Sequence, residues 1–114
     1  MNVKASIDAN AMRAAADQAS ELLKALANRH RLLILCQLIE GEKSVRQLVD
    51  FLGVRGSTAS QHLALLRRDR IIAARRDGQT VWYRLANGPA RAVMQSLHAA
   101  YCAPSTPAPA ERRR

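Results

Sequence analysis

Two cysteines, Cys36 and Cys102, carry whatever thiol chemistry this 114-residue sequence can do. A thiolate attacks a sulfane or disulfide sulfur, and a second thiol within reach closes a bridge. The pair is too sparse and too widely spaced for a secreted disulfide framework, so in a reducing compartment both are free thiols. By its spacing alone, Cys36 reads as a small apolar side chain in a core stripe. The three histidines, His30, His62 and His98, stand without partner spacing. A zinc site needs three or four ligands and two thiols do not suffice, so the expectation is no metal and no cofactor.

A second chemistry is hydrogen bonding joined to positive charge. Hydroxyl and amide side chains gather at Ser57, Thr58, Ser60 and Gln61. Around and after them come Arg55, Arg67, Arg68, Arg70, Arg75 and Arg76, with Asp69 the one acid in that stretch. The whole chain has a formal net charge of +9, which points to a polyanionic partner. The motifs of an enzyme are missing: no Cys-x-x-Cys, no glycine-rich phosphate loop, no paired carboxylates.

The elements that must position these residues follow from periodicity. Met12, Ala16, Ala19, Leu22, Leu23 and Leu26 recur at helical spacing and predict a helix over 11–27. Asn28 can cap a second helix, with Leu32, Leu35, Cys36 and Ile39 as its inner stripe and Gly41 at its end. Ser44 and Gln47 form a capping box for a short third helix, whose inner face is Val45, Leu48, Val49 and Leu52, stopped by Gly53. A tight turn over 54–56 follows. Ser57 can cap a fourth helix, with Ala59, Leu63 and Leu66 inside and its polar residues outside. Residues 71–76 and 80–85 read as two strands around Asp77-Gly78, a strong hairpin signal. A last helix covers 87–100, with Asn87 as cap and Pro89 in its first turn.

The resulting class is mainly α (α+β), in the order α-α-α-α-β-β-α. A short helix, a glycine-bounded turn and a second helix with a polar N-terminus has the form of a helix-turn-helix. The basic hairpin suits a wing, with Arg75, Arg76 and Gln79 at phosphates or the minor groove. Each part also has a plainer reading. Ser57 can simply cap, Ser60 and Gln61 can be wet surface, and the arginines a solvated face. Their joint arrangement is what favours double-stranded DNA.

On "ALANRHRLLIL" (25–35) and "SVRQLVDFLGVRGSTASQHLALLRRDRIIAARRDGQTVWYRL" (44–85) the chain resembles the ArsR/SmtB winged-helix repressors. Ser57, Ser60, His62 and Leu63 keep that family's serine-x-x-serine-x-histidine-leucine form. The resemblance implies that Ser57, Thr58, Ser60 and Gln61 reach base edges. It implies too that the first and last helices pair two protomers, and that the homodimer reads a pseudo-palindrome. The paired ligands of the metal-sensing members are absent. Cys36 after "LLIL" and Cys102 in "AAYC" resemble instead the persulfide-sensing subgroup typified by BigR and SqrR. That implies a repressor relieved when reactive sulfur species bridge the two thiols, directly or through inserted sulfurs. A direct bridge needs Cα atoms about 4.4–6.8 Å apart. A peroxide- or metalloid-responsive repressor of the same fold, and a basic DNA-binding protein without sequence preference, are the alternatives.

The length suits one domain, expected over 11–102. Residues 1–10 read as a flexible N-terminus. Residues 103–114, which hold three of the four prolines and end in Arg112, Arg113 and Arg114, read as a disordered basic tail. No apolar run approaches the ~20 residues of a membrane span and no secretory signal opens the chain, so the expected place is the cytoplasm.

Overall fold

The computed structural model describes residues 8–102; the expected basic tail, and the N-terminal segment up to residue 7, lie outside it. Eight elements follow in order: α1 (Ala9–Leu26), α2 (Arg29–Ile39), β1 (Lys43–Ser44), α3 (Val45–Leu52), α4 (Gly56–Arg68), β2 (Ile72–Asp77), β3 (Thr80–Leu85) and α5 (Gly88–Tyr101). Helix α1 begins two residues before the expected start.

The caps are local chemistry. Asn28 Oδ1 accepts from the backbone N–H of His30 at 2.9 Å and of Arg31 at 3.2 Å, starting α2. The capping box at α3 is complete: Gln47 N–H donates to Ser44 Oγ at 3.1 Å, and Ser44 N–H donates to Gln47 Oε1 at 2.8 Å. Asn87 Oδ1 accepts from Ala90 N–H at 2.8 Å, and Pro89 sits in the first turn of α5. Helix α4 ends differently. Arg70 adopts φ +60°, while Arg70 N–H donates to the Arg67 carbonyl and Ile71 N–H to the Leu66 carbonyl, both at 2.9 Å. This is the Schellman pattern, with buried Ile71 and Leu66 as its apolar contact.

Helix α2 is the centre of the packing and touches α1, α3, α4, α5 and β3. Its fully buried residues are Ile34, Leu35 and Leu38, whereas Leu32, Cys36 and Ile39 are only half-buried. The stripe expected from the sequence is therefore turned partly off the true inner face. Most residues from Leu32 to Ile39 are apolar, so periodicity alone does not choose among them. Leu48, Leu63, Leu66, Ile71, Ile72, Leu85 and Met94 complete the core around it.

The sheet has order β1-β3-β2, antiparallel throughout. Asp77 pairs with Thr80, so the hairpin loop is Gly78-Gln79, one residue later than the expected Asp77-Gly78 turn. Gly78 takes φ +65° at the first central position, where a two-residue primed turn needs a left-handed residue. Strand β1 has no counterpart among the expected elements, since two residues carry no alternation. It pairs Lys43 with Tyr83 and Ser44 with Trp82, which moors the hairpin beside α3.

Candidate nucleic-acid interface and thiol pair

Helices α3 and α4 are joined by Gly53, Val54 and Arg55, with Gly53 at φ +67°. No heavy atom lies within 4 Å of a Cβ built at Gly53, so the backbone conformation, not space, calls for glycine there. The turn sets α4 with Ala59, Leu63 and Leu66 against the core. Ser57, Ser60 and Gln61 are then exposed on the opposite side, at the i, i+3, i+4 spacing of one helical face, and Thr58 is half-buried beside them.

The expected cap at Ser57 does not form. The N-cap position is Arg55, with no side-chain hydrogen bond to the helix end, and Ser57 lies within the first turn. Gly56, expected as the last residue of the turn, is already helical, which starts α4 earlier and moves Ser57 past the capping position. The first N–H groups of α4 consequently have no side-chain cap, and no acidic residue lies in that turn. Such an end favours phosphate or base acceptors.

Arg55 is exposed at the mouth of this face, and Arg76 and Gln79 are exposed on the wing. Arg68 is not brought to the same place. It ends α4, about 16 Å along the axis from Ser57 at ~1.5 Å per residue, and its Nε lies 3.3 Å from Asp69 Oδ1. Arg75 has a carboxylate partner that no spacing in the sequence announces: its Nε and Nη2 lie 2.8–3.1 Å from the two oxygens of Glu42. That guanidinium holds the Glu42 carboxyl below the usual carboxylate range.

Sequence spacing leaves His30 and His62 solitary, yet their rings lie 5.4 Å apart, tilted by 43°, where the first turn of α2 meets α4. Their Nδ1 atoms are buried without a partner. Burial first, then Arg31 and His30, push the His62 pKa down, so its imidazole stays neutral near pH 7. A contact between residues 32 positions apart has no signature in local periodicity.

The two thiols lie on elements that pack together, α2 and the end of α5. Cys36 lies half-buried on α2 and packs against the core, and Cys102 is exposed at the C-cap of α5. Burial pushes the Cys36 thiol up, and the adjacent Cys102 sulfur adds to this by charge and by hydrogen bonding. Both are free. Among the described residues no group of three or more His, Cys, Asp or Glu is placed to hold a metal ion, and no helix is long and apolar enough to cross a membrane.

Helix α1 is largely uncovered. Residues 9–21 are all exposed, Met12 among them, and Leu23 is exposed further along. An open groove of about 490 Å³ between α1 and α5 is lined by Ala19, Leu22, Pro89 and Val93, with Gln18 and Asn87.

A family model described as bacterial regulatory protein, arsR family, matches residues 28–74. The transcriptional activator HlyU of Vibrio cholerae is 47% identical over 81 residues, 71% of this chain and 75% of that protein. The biofilm growth-associated repressor of Agrobacterium fabrum is 40% identical over 94 residues, 82% and 80% of the respective chains. Among solved structures, reduced HlyU from Vibrio cholerae superposes with TM-score 0.78 at 44% identity, covering 80% of this chain and 96% of that one. The repressor BigR from Xylella fastidiosa gives 0.76 at 34%, covering 86% and 100%.

Proposed function

The chain belongs to the arsR family of bacterial regulatory proteins, and from that premise we propose a homodimeric repressor that leaves its operator when Cys36 and Cys102 are bridged by reactive sulfur. Its relatives are transcriptional regulators with a DNA-binding winged helix, not enzymes. The first turn of α4 enters the major groove, where Ser57, Thr58, Ser60 and Gln61 hydrogen-bond base edges. Arg55, Arg76 and Gln79 follow the backbone, with Arg68 at a more distant phosphate. A second copy covers the exposed α1 and the groove beside α5; a Mycobacterium bovis relative is a homodimeric winged helix. The dimer then reads two half-sites about one helical turn apart.

The release step is supported by one observation above others, the packing of α5, which ends at Cys102, against α2, which carries Cys36. Cys102 is the more exposed thiol, whereas Cys36 is half-buried and burial pushes its thiol up. The exposed Cys102 sulfur therefore takes the outer sulfur of a persulfide RSSH and releases RSH. Cys36 then attacks the Cys102 sulfur and expels hydrogen sulfide. The balance is RSSH plus two thiols giving one disulfide, RSH and hydrogen sulfide, with the sulfane sulfur reduced by the two electrons the thiols lose. A second RSSH leaves one more sulfur in the bridge. Joining α2 to the end of α5 moves the helix on which α4 rests, and the DNA-competent state loses population.

The test is intact mass spectrometry with DNA-binding assays after treatment with glutathione persulfide, peroxide, zinc or arsenite. The proposal expects a loss of two hydrogens, or additions in steps of one sulfur, on Cys36 and Cys102 together with release of DNA. Release that persists in both Cys36→Ser and Cys102→Ser refutes the dithiol switch. An arsenic adduct bridging the thiols would make the same pair a metalloid site.

A further inference from the structure

Arg75 sits midway along β2, directly across from Trp82 on β3. Its guanidinium carbon lies 5.7 Å from the centroid of the Trp82 ring. One edge of the guanidinium, Nε and Nη2, is bound by both oxygens of Glu42. The other edge, Nη1, faces Asp77 Oδ2 at 4.0 Å. Glu42 immediately precedes β1, which is itself hydrogen-bonded to β3. The wing is thereby clipped to the connection between α2 and α3 by a planar, two-point ion pair laid beside an aromatic ring.

Two physical consequences follow. First, the side of Arg75 that grips a phosphate oxygen pair is already filled by a carboxylate. The Glu42 and Asp77 carboxylates, with Arg84 also acting on Glu42, leave this cluster without the free positive charge that a phosphate contact needs. Arg76, next in the strand, projects to the other face of the ribbon and is exposed. Second, the β2–β3 ribbon runs on past its two-residue pairing with β1 as a two-stranded segment, where twist is larger, and the angle it makes with α4 decides whether both meet one duplex together.

We propose that Glu42 is a positioning residue for the wing: by engaging Arg75 it takes that arginine out of the phosphate contacts and fixes the β2–β3 ribbon so that Arg76 and Gln79 meet the duplex in register with α4. This rests on the reading of α4 and the wing as the DNA-binding surface. It replaces the sequence expectation that Arg75 and Arg76 act alike.

The experiment uses the reduced full-length protein, a duplex selected by it from a random library, and a scrambled duplex of equal length. Binding is followed by fluorescence anisotropy across a salt series. For Arg75→Ala the slope of log K against log salt stays at the wild-type value, whereas Arg76→Ala lowers it by about 0.9 for each phosphate no longer neutralised. Glu42→Gln narrows the preference for the selected duplex by about fivefold or more, and Glu42→Gln with Arg75→Ala narrows it no further than either alone. Exchanging the charges (E42R with R75E) returns most of the preference. The proposal is overturned if Arg75→Ala lowers the slope as Arg76→Ala does, or if Glu42→Gln leaves the preference intact. It is overturned as well if the exchanged pair unfolds at the wild-type temperature yet recovers no preference. Wild-type protein that showed no preference between the duplexes would remove the DNA reading itself, and the proposal with it.

Discussion

A covalent bridge between Cys36 and Cys102 should stabilise each protomer by a calculable amount. The two positions are roughly 66 residues apart in the chain. The loop-entropy relation then gives about 4 kcal/mol at 25 °C, because the cross-link removes conformations from the unfolded chain. Strain subtracts from that figure, but Cys102 is exposed at the last turn of α5 and can adjust at small cost. A gain of about 2–4 kcal/mol is expected. For a domain of this size each kcal/mol shifts Tm by about 4–8 °C, so oxidation should raise it by on the order of 10–20 °C. The assay is thermal unfolding of reduced and persulfide-treated protein at one fixed protein concentration, since the Tm of a dimer depends on it. Cys36→Ser and Cys102→Ser serve as controls and should show no rise. Treated wild-type protein that has lost both free thiols yet unfolds at the reduced temperature would refute the reasoning. So would a covalent dimer on a non-reducing gel.

Other expectations concern the reading head and its support. Gln61→Ala should cost ~1–3 kcal/mol on the selected duplex and relax specificity at one position, measured by competition with single-base variants; equal losses on all duplexes would reassign Gln61 to the backbone. Gly53→Ala should lower stability by ~1 kcal/mol in chemical denaturation, because φ +67° strains a residue with a Cβ although nothing blocks the space. The depressed pKa of His62 means the unfolded chain binds its proton first. Its contribution is therefore complete above about pH 6.5 and is lost as pH falls from there through the lower folded value. Denaturant midpoints at several pH values should show that decline for wild type and a flatter profile for His62→Gln.

Much of this is legible in the residues because it is local. The capping pairs at Asn28, Ser44–Gln47 and Asn87, the stop at Gly53, and the inner face of α4 all follow from chemistry within a few positions. What cannot be read there depends on distant partners or on ambiguous pattern. Helix α2 is apolar on most sides, so its buried face is set by α5 and α4 rather than by its own period. Strand β1 is too short to alternate and exists because β3 offers it an edge. The contacts of His30 with His62 and of Glu42 with Arg75 join residues 32 and 33 positions apart, and no spacing rule reaches that far. Arg68 groups with the other arginines by proximity in sequence, yet the helix carries it to the far end of α4. Resemblance to a family pairs Cys36 with Cys102, and the structure places the elements that carry them, α2 and α5, against each other.

Whether the first turn of α4 meets DNA decides more than any other point. Backbone amide NMR shifts of the reduced protein, followed on addition of the selected duplex, test this residue by residue. The largest changes should fall on Ser57, Thr58, Ser60 and Gln61 and on the wing at Arg76 and Gln79, and should vanish once the thiols are bridged. Large shifts confined to α1 and α5, with residues 57–61 unmoved, would contradict it.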